Sequence, residues 1–171
     1  MPFTPFHLGP ALALGLPTRK YIHAPTFIIA NVIVDVEPLV VLFLGSRYPL
    51  HGYLHTFLLA SLIGLIFGYV MSSAERFFQP LFKMLFLETG DKLKLKSFVL
   101  AGALGTILHV LLDSPLYTDI QPFYPVIANL LYNPALSSEI YNLCVWLGIV
   151  GIAYYAGLLI LSTYKKLMRK D

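Results

Sequence analysis

The stretch FLLASLIGLIFGYV, residues 57–70, carries no charge, and the segment around it, roughly 52–72, is long enough to cross the hydrocarbon core of a bilayer. About 20 helical residues, each rising about 1.5 Å, span the ~30 Å required. Segments at roughly 97–116, 140–163 and 25–45 meet the same criterion. In hydrocarbon every backbone N–H and C=O needs a partner inside the protein, so runs of this kind form helices. The pattern predicts an all-α fold: an integral membrane helical bundle of about four spanning helices, in one domain over residues 1–171. The composition, 57% hydrophobic and only 12% charged with a mean hydropathy of +0.74, lies outside the range of an ordinary soluble domain.

A shorter apolar stretch, roughly 6–17, holds Gly9, Pro10, Gly15 and Pro17 and cannot span alone. It predicts an N-terminal re-entrant or partly inserted helix, with its exposed backbone covered by protein or lining a wet cavity. The N-terminus MPFTPFHLGP lacks the positive region of a secretory signal, so the whole chain reads as mature protein. A single cysteine, Cys144, excludes an internal disulfide and Cys-rich zinc motifs and reads as a small packing residue.

The cations set a topology. The connection 73–96 holds Arg76, Lys83, Lys92, Lys94 and Lys96, and the tail holds Lys165, Lys166, Arg169 and Lys170. The connection 117–139 has none. The positive-inside rule assigns the first two to the cytoplasm and 117–139 to the outside of a multi-pass plasma-membrane protein with a cytoplasmic C-terminus. Arg19 and Lys20 agree, while Arg47, on the loop 46–51, lies on the minority side. QPLFKMLFLETGDKLKLK suits an amphipathic element on the inner surface, and the aromatic residues of 117–134 suit the outer interface. The lipid bilayer is the expected partner. The net charge of +3 has no aromatic-plus-basic stripe with it, so nucleic acid is not one.

Against this background the ionisable residues inside apolar segments are expensive and informative. On their segments His7, His51, His55, His109, Asp113, Asp35 and Glu37 all fall toward the outer half of the membrane. His51 and His55 are four apart, as are His109 and Asp113, a spacing that puts both members of a pair on one helical face. Asp35 and Glu37 would diverge by about 200° on a regular helix, but Pro38 removes a backbone bond and can distort the turn so that both reach one site. Imidazole with carboxylate oxygen suits a divalent metal, zinc before iron or manganese. Such an ion would also give the buried carboxylates a partner. His23, beside Arg19 and Lys20, reads as interfacial, Asn31 as a bonding neighbour of Asp35, and Asp119 as a cap or turn residue of YTDIQPF.

The blocks TPFHLGPALALG, IIANVIVDVEP, PLHGYLHT and GTILHVLLDSPLYTDIQPFYP make the chain, to about residue 125, resemble the YdjM-like membrane-bound metal-dependent hydrolases of prokaryotic inner membranes. The resemblance implies His7, Asp35, His51, His55, His109 and Asp113 as the polar, metal-binding centre, with Glu37 in the second acidic position. Many members carry Asp-x-Asp where this chain has Asp35-Val-Glu37, and His-Arg-Gly-x-Thr-His-Ser where it has His51-Gly-Tyr-Leu-His55-Thr. The family pattern is similar in turn to zinc-dependent phospholipase C, whose site is built from His and Asp on helices.

The function expected is a membrane-embedded, metal-dependent hydrolase with its site near the extracytoplasmic surface, acting on an amphiphilic ester or phosphoester. His51, His55, His109 and Asp113 are the leading ligands, and Asp35 or Glu37 completes a second metal position or serves as general base. The alternative is a transporter or ion-binding membrane protein that uses the same cluster as a relay. The apolar inner halves of the helices argue against it. Haem ligation is disfavoured because the acids would crowd the porphyrin.

Overall fold

The computed structural model describes residues 5–87 and 93–168. Among the described residues every regular element is helical: α1 (Leu8–Gly15), α2 (Ala24–Ile33), α3 (Val36–Leu44), α4 (Phe57–Met84), α5 (Leu95–Asp113) and α6 (Ser137–Leu167), with short 3-10 turns at Pro5–His7, Tyr53–His55 and Pro134–Leu136. Among the described residues four stretches are long and apolar enough to cross a membrane: Ala24–Leu44, Phe57–Met84, Leu95–Asp113 and Pro134–Tyr164.

α5 is the central post, packed against α2 on one side and α4 on the other. Small residues bring the backbones together. A Cβ on Gly64 would lie 2.5 Å from the Gly102 carbonyl oxygen, and one on Gly102 would collide with that of Gly64. Gly68 meets Phe98 in the same way, and Gly105 lets α5 approach Phe27 and Ala30 of α2. This is the close approach through small residues that hydrocarbon favours, since burial in lipid offers no hydrophobic gain between helices. The Thr106 hydroxyl donates to the Ala60 carbonyl across the same seam at 2.7 Å.

α6 stands at the edge. It packs mainly on α1, where Gly9 fits against the backbone of Cys144 and Gly148 and Gly151 fits against Leu12. α1 is thus a short helix shielded by α6 and α2, as its glycines and prolines predict. It starts at the end of the bundle where α5 finishes and α4 begins. The opposite end carries Arg19 and Lys20 before α2, Lys83 near the end of α4, and Lys94 before α5. α6 runs toward that end, its Tyr155 hydroxyl donating to the Leu85 carbonyl at 2.7 Å. Lys92, with the rest of 88–92, and Arg169 and Lys170 lie outside the described residues. Of the stretch expected to lie on the inner surface, residues 79–84 instead continue α4.

Two local features differ from expectation and both shape the site. The first span is broken at Val34–Asp35. Pro38 has no N–H and its ring clashes with the carbonyl four residues back, that of Val34, so the helix must reset there. Asp35 N–H turns to Val32 O (3.1 Å) and Glu37 N–H to Val34 O (3.2 Å), both tighter than α-helical spacing. α3 then runs to Gly45, which closes it in the left-handed region at φ 57°. Second, His51 and His55 do not share a helical face. They lie before α4, which begins at Phe57 once the Thr56 hydroxyl caps the Leu59 N–H at 3.1 Å. His55 closes the 3-10 turn Tyr53–His55, and His51 sits in the loop ahead of it.

Candidate metal centre

Four side chains from three places in the chain meet in the interior. Asp35 comes from the break between α2 and α3, His55 from the turn before α4, and His109 and Asp113 from the last turns of α5. All four are buried, and one ligand atom from each lies within 4.8 Å of the others. Two carboxylates enclosed in this way would each cost at least a few kcal/mol without a cation or proton between them.

The histidines reveal what the enclosure is built for. His109 Nδ1 is 2.7 Å from the Asn31 carbonyl oxygen, which can only accept, so Nδ1 carries a hydrogen. Its Nε2 then faces Asp113 Oδ2 at 3.3 Å and Asp35 Oδ1 at 3.5 Å without a hydrogen-bond partner. A lone pair aimed at two carboxylates is repulsive unless a proton or a metal ion lies between. His55 repeats the pattern: Nδ1 donates to Glu37 Oε2 at 3.1 Å, and the buried Nε2 has no hydrogen-bond partner. Burial is the largest influence on His55 and holds its imidazole below the ordinary range, so the ring is neutral with Nε2 unprotonated. His51 makes a third instance, with Nδ1 2.9 Å from Asp119 Oδ1, its backbone N–H 3.2 Å from Oδ2, and Nε2 again buried and unpaired. Burial works against the Asp119 charge, but the hydrogen bond from His51 outweighs it and keeps the carboxyl below its usual range.

One imidazole nitrogen fixed by a carboxylate or carbonyl while the other is left free is the arrangement that orients histidine ligands on a metal. The His51 ring lies 4.8 Å from that of His55, and the His55 ring 5.3 Å from that of His109, centroid to centroid. The donor set of imidazole nitrogen and carboxylate oxygen fits a divalent ion.

The remaining residues take supporting positions. Glu37, expected in the centre beside Asp35, stands outside the group of four. The reset at Val34–Asp35 points it to the far side of His55, where it also accepts from the Leu54 N–H at 3.1 Å. His7 reaches the centre but binds through Nε2 to Asp113 Oδ1 at 2.9 Å and stacks on His109 at 4.0 Å, so it steadies a carboxylate. Its Nδ1 is buried and unpaired. Asp119 and the Asn31 carbonyl escape a reading by local spacing because the former is 68 residues from His51 and the latter 78 from His109. Tyr117, whose ring lies 4.3 Å from that of His51 and tilted by 32°, is likewise invisible to spacing, and burial with a hydrogen bond to Tyr141 pushes its phenol up. His23 lies apart at the other end, where its ring caps α2 through Thr26 and stacks on Phe98.

Comparison with protein-family models, curated proteins and solved structures returns no match. The chain is therefore characterised by what its residues form: a helical protein with four membrane-length apolar helices and a buried Asp/His/His/Asp group able to hold a metal ion.

Proposed function

We propose that the protein is a membrane-embedded, metal-dependent hydrolase of the YdjM-like kind, with a divalent ion, zinc by its donor set, held near the extracytoplasmic surface, and that its substrate is a lipid-like ester or phosphoester. One observation carries the reading: His55 and His109 each have Nδ1 fixed and Nε2 free within the group that holds the buried Asp35 and Asp113, and His51, outside that group, repeats the pattern with Nδ1 on Asp119. An ion bound there supplies Lewis acidity and makes hydroxide available near neutral pH. His55, His109, Asp35 and Asp113 are the nearest set to hold it. Asp113, steadied by His7, would be committed to the ion, while Asp35 would either complete the ligand set or accept a proton from the attacking water. Glu37 and Asp119 orient the imidazoles.

The site lies at the end of the bundle away from the described lysines before α5 and near the end of α4, which under the positive-inside rule is the outside of a plasma membrane. Measuring metal in the purified protein tests the proposal. The native chain should carry near-stoichiometric zinc, and His55→Ala and His109→Ala should lose it. A native protein free of transition metal removes the hydrolase reading.

The unpaired His109 Nε2 between carboxylates also favours a second reading, a proton relay in a transporter. Proteoliposome flux abolished by Asp35→Asn, with no metal bound, would establish that reading in place of the first.

A further inference from the structure

Two hollows near the centre are not needed to hold a metal, and they share one residue. Beside His51 lies a cavity of about 170 Å³ walled by Tyr48, Tyr53, Asp119, Gln121 and Tyr124, with no Lys or Arg in its lining. Along α3 runs an open groove of about 490 Å³ over Val36, Val40, Val41 and Leu44, flanked by Leu54 and ending at Glu37 and Tyr48. The first is polar. The second is apolar, and because α3 belongs to a membrane-length segment its open side meets hydrocarbon.

Tyr48 divides them. Its ring covers Gly52, where any Cβ would collide with the phenol. Its hydroxyl accepts from the Tyr53 N–H at 3.1 Å and reaches Glu37 Oε1 at 3.5 Å. A compartment with polar groups next to His51 thus adjoins an apolar one along α3, with a single side chain common to both.

We propose that these hollows form one seat for an amphiphile: an alkyl chain lies along α3 and an ester- or phosphate-type head enters the tyrosine cavity beside His51, with Tyr48 at the junction. The seat stands on the two hollows, and it rests on the hydrolase reading for the countercharge to an anionic head and for the fate of that head. The nine residues of α3 are about 13 Å long, which accommodates a chain of roughly ten carbons parallel to the helix. A chain arriving from the bilayer gains little from leaving hydrocarbon, so the groove selects by shape and dispersion contact. The Tyr53 and Tyr124 phenols and the Gln121 amide can donate to ester oxygens and hydroxyls, the Tyr48 hydrogen being turned to Glu37. With the Asp119 carboxylate and no Lys or Arg in the wall, any negative charge on the head must be met by an ion held at the centre.

The probe is a decyl phosphate bearing a diazirine at the chain end, used on zinc-loaded protein in phosphatidylcholine nanodiscs, with the labelled residues mapped by mass spectrometry. Label should concentrate on residues 36–54. An excess of n-decyl phosphate should reduce it at least tenfold, and inorganic phosphate should not. Val40→Trp and Leu44→Trp, both at exposed positions, should each cut labelling about tenfold with zinc content unchanged. Label spread over the exposed apolar faces of α4 and α6, equal competition by inorganic phosphate, or undiminished labelling of both variants would overturn the seat. Zinc-free protein that labels as expected would remove the hydrolase reading and keep the seat, and zinc-bound protein with scattered label would do the reverse.

Discussion

At the scale of single residues, the centre divides into atoms that face the cage and atoms that aim them. Glu37 belongs to the second group, since its carboxylate spans His55 Nδ1 and the Leu54 N–H. Glu37→Gln keeps the shape and weakens the hold on the His55 tautomer. Zinc affinity measured by chelator competition should fall 10–100-fold, the usual cost of losing a supporting carboxylate, where His55→Ala abolishes binding. His23 makes a separate prediction at the other end of the molecule. Burial depresses its pKa from 6.5 to about 4. Between those values the unfolded chain takes up a proton that the folded one refuses, so stability is full above about 6.5 and falls as pH drops toward 4. The loss by the acid end is roughly 3 kcal/mol. His23→Asn retains a cap without titrating. In detergent its melting temperature should change less than the native one between pH 7.5 and pH 5.

At the scale of elements, the α4–α5 seam rests on glycines whose hydrogens are the contact surface. Gly102→Ala must push α5 away from Gly64 and is expected to destabilise by about 1–3 kcal/mol, the range for overpacking a tight interface. Gly157→Ala, with nothing within 4 Å of its Cβ, is the matched control and should melt like the native protein. The same scale explains how much could be read in advance. Span number, the shielded N-terminal helix, and the pairing of His109 with Asp113 follow from hydropathy and from four-residue spacing, which are local properties. The helical face assumed for His51 and His55 does not hold, because Thr56 offers a cap that starts α4 two residues after His55 begins to turn inward. Pro38 correctly marks a distortion in the first span, but the ring acts on the carbonyl four residues back. The break therefore falls at Val34–Asp35 and separates Asp35 from Glu37. Asp119 was out of reach because its role depends on a loop returning to meet His51 across most of the fold.

At the scale of the whole molecule, the basic end and the end that holds the buried Asp/His group are opposite. That polarity gives a prediction: in a Cys144→Ser background, Ser46→Cys should react with a membrane-impermeant maleimide added to intact cells, and Met168→Cys only after the cells are opened. Both positions are exposed. Reversed accessibility would put the centre on the cytoplasmic side. The cage also gathers its parts in chain order, from His7, then Asp35, then His55, then His109 and Asp113, with Asp119 behind His51 arriving last. During synthesis, then, a nascent chain with two spans threaded into the bilayer holds an unmatched carboxylate and an idle imidazole there. Only the arrival of α5 and the loop beyond it completes a chamber able to hold an ion, so an ion that binds there would enter after α5 is in place.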